Sequence, residues 1–106
     1  MPKYLVQASY TAEGTKGLIK EGGSSRRTKI TELAKSLGGK LEAFYFAFGE
    51  HDVYTIFDAP DTVTAAALAL AVNASGAVRL KTVALITPEE VDQAVKKTVA
   101  YRPPGA

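Results

Sequence analysis

The sequence predicts an α+β domain of ferredoxin-like build, its strands and helices in the order β-α-β-β-α-β, with an extra C-terminal helix. Three observations carry this. Two strand-like runs, LEAFYFAF (41–48) and HDVYTIFD (51–58), are separated only by Gly49-Glu50, which marks an antiparallel hairpin. Helical periodicity flanks that pair, in Ile30, Leu33, Ala34 and Leu37 and again after Asp61. Two further strand-like runs, KYLVQASY and VRLKTVALI, open and close the pattern.

In chain order, Lys3 to Tyr10 is a strand that stops at polar Thr11. Thr15 to Gly23 holds Leu18-Ile19 and is expected as a turn or short helix against the core. Ser24 or Ser25 is placed to cap the next helix, and Gly38-Gly39 to stop it. Gly49, first in its turn, suits type II′. Asp61 after Pro60 caps a helix reaching about Ser75, with Val63, Ala67, Leu70, Ala71 and Ala74 as its buried stripe and Gly76 as its end. Val78 to Ile86 is the fourth strand. Thr87-Pro88-Glu89-Glu90 then reads as a capping box with proline in the first helical position. The last helix presents Val91, Ala94, Val95 and Val99, and the tail from about 101 to 106 cannot continue it because of Pro103-Pro104.

The 106 residues suit one domain, spanning 1–106. So small a core is marginal for a monomer, and disulfides, metals or oligomerisation are the usual remedies. The chain has no cysteine and a single histidine, which excludes disulfides and points away from a metal site within one subunit. No cofactor is called for. A net charge of +2 is too even for a dedicated nucleic-acid binder. RNA-recognition modules share the element order, but HDVYTIFD lacks their basic-glycine opening and carries two aspartates. The apolar run Ala65 to Ala74 is too short for a membrane span, and the start lacks a signal-peptide profile. A cytoplasmic location is expected.

Oligomerisation is the remedy left. On the first three strand candidates neither alternating set of side chains is a row of charges, as in Leu41, Ala43, Tyr45 against Phe44, Phe46, Phe48. A sheet wetted on one face should alternate cleanly. A second copy covering the open face is the expected partner.

Tyr4-Leu5-Val6, Leu37-Gly38-Gly39-Lys40-Leu41, Phe48-Gly49-Glu50-His51-Asp52, Asp58-Ala59-Pro60-Asp61, the alanine-leucine helix and Val78-Arg79-Leu80-Lys81-Thr82 occur in this order. Together they resemble the GYD domain family over roughly Pro2 to Val91. The resemblance implies a small bacterial protein similar to the dimeric α+β barrels, without an established activity. The family hairpin carries a tyrosine where this chain has His51.

Among individual residues, His51 is the candidate general base and Tyr45 the hydrogen-bond donor beside it. Adjacent strand residues point to opposite faces, so Asp52 is expected to bond hairpin backbone instead of orienting His51. Lys20, Tyr54 and Arg79 are candidate ligand contacts, Lys20 and Arg79 as anion partners. The competing explanations are ordinary ones. Tyr4, Tyr45 and Tyr54 serve packing, and Arg79 with Lys81 pairs with Glu42 across an interface. Gly22 to Arg27, GGSSRR, offers an anion site at a helix start, but lacks a full phosphate-loop pattern; solvated arginines after a glycine break compete with it. The function expected is a small self-assembling protein that binds a small metabolite. The alternative is a cofactor-independent enzyme of monooxygenase or isomerase type.

Overall fold

Alternation within the first strand sets the plane of the molecule. In the computed structural model, which describes residues 1–105, β1 (Lys3–Tyr10) buries Tyr4, Val6 and Ala8 and leaves Leu5, Gln7 and Ser9 half-buried on the other side. β2 (Lys40–Phe46), β3 (Val53–Asp58) and β4 (Val78–Leu85) join it in one sheet of order β2-β3-β1-β4. Every neighbouring pair is antiparallel. The split arrangement expected from the sequence is therefore present. Helices α1 (Ala12–Glu21), α2 (Gly23–Ser36) and α3 (Thr62–Ala74) lie over the face of Tyr4 and Val6, and α4 (Pro88–Val95) follows β4. The core is Tyr4, Val6, Ala8, Val53, Phe57, Ala59, Ala65 and Val78.

Local chemistry explains the boundaries. Thr11 caps α1 by accepting from the Gly14 N–H. Gly22 ends α1 at φ 88° and also starts α2. Neither Ser24 nor Ser25 caps α2; both lie inside its first turn, because the glycine has already turned the chain. At the other end, Gly38 N–H donates to the Lys35 carbonyl and Gly39 N–H to the Ala34 carbonyl, with Gly38 at φ 79°. That is a Schellman stop, whose left-handed residue favours glycine. Asp61 caps α3, accepting from the Thr64 N–H at 2.7 Å. That backbone hydrogen bond holds its carboxyl below the usual range. Thr87 and Glu90 close the reciprocal capping box of α4 at 2.9 and 3.1 Å.

Four expectations are corrected. The hairpin loop is longer than Gly49-Glu50, running from residue 47 to 52. Gly49 is not among the positive-φ glycines, so no type II′ turn forms. Asp52 draws the chain aside: its N–H donates to the Ala8 carbonyl, and its carboxylate accepts from the Tyr10 N–H at 2.8 Å. The bonding of Asp52 to backbone was expected; its reach to β1 was not. Second, β2 does not alternate throughout. A register shift between Leu41 and Ala43 places Leu41 with Phe57, Phe44 with Thr55 and Phe46 with Val53, all on the helix-covered face. One extra residue in a strand inverts the alternation beyond it.

Third, the stripe assigned to α3 faces outward. Val63 is 79% exposed and Leu70 72%, whereas Ala65 is buried and Leu68, Ala69 and Val72 are half-buried. The helix is apolar on all sides, so periodicity held no phase; the Asp61 cap and the approach from β3 set it. Fourth, α4 ends at Val95, leaving Val99 beyond it. Ala106, the last residue of the expected tail, lies outside the described residues.

Candidate functional site

Two places bring chemistry-bearing side chains together. The first lies between the helices and the sheet. Helices α2 and α3 span the covered face without filling it, leaving a cavity of about 80 Å³. Val6, Leu41, Phe44, Phe57, Leu68 and Leu80 supply much of its wall, and Thr55 and Thr82 add hydroxyls. Tyr10 and Arg26 also line it. They come from the end of β1 and the first turn of α2, close enough for the Arg26 guanidinium to act on the Tyr10 phenol. Burial pushes the Tyr10 hydroxyl up from its ordinary pKa, and the adjacent guanidinium draws it partly back. Apolar side chains make up most of its wall, so the space suits an apolar occupant.

The second place is on the uncovered face, where the hairpin loop meets the sheet. His51 Nδ1 lies 3.3 Å from Ser9 Oγ, and its ring stands edge-on to Tyr54 at 5.9 Å between centroids. Arg79 is opposite Ser9 on β4, and Tyr45 is opposite Tyr54 on β2. His51, Tyr54, Arg79 and Tyr45 thus share one side of the sheet. Lys20 does not join them. It is exposed on α1, in the helical layer. Tyr45 also borders an open cleft of about 330 Å³ along β2, with Arg27, Thr31 and Glu42. Tyr4 stands apart from the other tyrosines, buried on the covered face with its hydroxyl 3.1 Å from Thr62 Oγ1. Glu42 is engaged within its own chain: Lys3 bridges it at 3.0 Å and Asp58 at 2.9 Å.

None of the five singled-out residues lines the cavity under the helices. The sequence signal for its polar end was GGSSRR. The helical period places Arg26 four residues before Ile30, on the inward stripe, and leaves Arg27 exposed. Tyr10 drew no attention because it closes an ordinary strand.

Among the described residues, no cluster of histidine, aspartate and glutamate is arranged to hold a metal ion, and no helix is long and apolar enough to cross a membrane. A family model described as the GYD domain matches residues 4–95. Comparison with curated proteins and with solved structures returns no match.

Proposed function

The chain belongs to the GYD domain family, and from that premise we propose that it assembles with copies of itself through the uncovered sheet face and holds a small metabolite under its helices. The observation that carries assembly is the middle of that face. Leu5, Ile56 and Val83 form an apolar row across β3, β1 and β4, in register and without a covering element. Apolar surface of this kind marks interfaces. Two further surfaces support the reading: the outward side of α3, and α4, whose Val91 and Val95 are exposed.

The test is mass in solution. Light scattering on the wild type is expected to give at least twice the 11.2 kDa of one chain. Val83→Glu should shift it to the monomer, because a carboxylate would have to be desolvated in the interface. Val83 is 42% exposed in the single chain, so the variant should fold. A wild type that stays monomeric at micromolar concentration rejects the assembly.

The second reading is a cofactor-independent enzyme with His51 as general base and Tyr45 or Tyr54 as hydrogen-bond donor. The hydrogen bond between Ser9 and His51, with Arg79 alongside, supports it. On this reading His51→Gln lowers turnover of small aromatic or keto-acid substrates about 10²–10⁴-fold, the usual share of a general base. Turnover unchanged in that variant removes His51 from the chemistry.

A further inference from the structure

The cavity under α2 and α3 has one charged end, and that end narrows what it accepts. Arg26 is the cationic residue lining it, and no aspartate or glutamate does. The two nearest carboxylates are already engaged. Glu21 is bound by Lys29 at 2.9 Å, and Asp52 accepts from the Tyr10 N–H. Among the described residues no carboxylate stands at ion-pair distance from Arg26, and its guanidinium acts on the Tyr10 phenol beside it. Arg26 does act electrostatically on Glu21, but that carboxylate is held by Lys29, so the half-buried guanidinium faces the apolar space without an ion pair of its own. An anion at that end would balance it, and the planar fork of arginine suits a carboxylate.

Building on the metabolite-binding reading above, we propose that this cavity takes a compact monocarboxylate, its aromatic or branched apolar body among Leu41, Phe44, Phe57 and Leu68 and its carboxylate on Arg26 beside the Tyr10 hydroxyl. The volume limits the body to a ring or short branched chain. The hydroxyls of Thr55 and Thr82 offer hydrogen bonds to a polar substituent on the body.

The experiment compares three probes of one shape, benzoate, benzyl alcohol and benzylammonium, by NMR titration of the full chain. Benzoate is expected to shift the amides of Val6, Phe44 and Phe57 and to bind at least about tenfold more tightly than benzyl alcohol, a charge-assisted bond being stronger than a neutral one. Benzylammonium should bind more weakly than benzyl alcohol. Arg26→Met should bring benzoate down to the affinity of benzyl alcohol and leave benzyl alcohol unchanged. Equal binding of benzoate and benzyl alcohol to the wild type overturns the carboxylate assignment but keeps the cavity as a binding site. Failure of all three probes to shift cavity amides overturns both. The wild-type comparison decides the matter even if the variant does not fold.

Discussion

Gly14→Ala is expected to destabilise the protein by about 2 kcal/mol, whereas Gly17→Ala, three residues along the same helix, stabilises it by about 1 kcal/mol. Helix propensity alone favours alanine by up to about 1 kcal/mol at both positions. Space separates them. A Cβ on Gly14 would stand well inside contact distance of the Ala77 carbonyl oxygen, and also close to the Tyr10 ring. That carbonyl cannot swing aside as a side chain would. It accepts from the Thr11 N–H at 3.0 Å and from the Thr11 hydroxyl at 3.2 Å, which together bind the start of β4 to the start of α1. A Cβ on Gly17 meets nothing within 4 Å. Thermal melts should show the pair moving in opposite directions, with Gly14→Ala lower by about 10 °C. A Gly14→Ala protein as stable as the wild type would mean that α1 does not lie this close to β4.

Phe57→Ala carries the larger cost, expected at about 3–5 kcal/mol, a substantial part of the total stability of a small domain. Phe57 is 6% exposed in the middle of the covered face. It pairs with Tyr4 on one side and Leu41 on the other, and its ring lies 5.6 Å from that of Tyr4. The ring borders the existing cavity, so its removal enlarges a void that the sheet backbone cannot close. Phe48→Ala is the control. That residue comes from the same hairpin and is fully exposed, at 103%. Its replacement should change stability by no more than about 0.5 kcal/mol in the single chain. Urea midpoints measured on both variants test the contrast, and similar losses would contradict the burial pattern.

The two phenylalanines also show how far the strand pattern was legible. Alternation in β1 and β3 separated inward from outward residues correctly, because the backbone there is regular and the period is two. In β2 the same rule placed Leu41 with Ala43 and Tyr45, and the bulge at Glu42 moved it to the face of Phe44. Nothing in LEAFYFAF announces that extra residue, since apolar residues stand on both alternating sets. His51 drew attention as the one histidine, and the structure does place it beside Ser9, Tyr54 and Arg79 on one side of the sheet. The cavity is not legible in the sequence because the phenol and guanidinium at its polar end, Tyr10 and Arg26, lie 16 positions apart. They meet only when α2 folds back across β1 and β2.

By itself, the sequence determined the element order, the Asp61 and Thr87 caps, the glycine stop after α2 and the family. These are local matters, written in residues whose backbone geometry or hydrogen bonding admits few alternatives. Tertiary structure alone decided which side of α3 faces the sheet, where β2 slips by one residue, and that an arginine ends up beside an apolar cavity. A helix apolar all round has no preferred side until it meets its neighbours, and a charge acquires its meaning only from the groups that the fold brings to it.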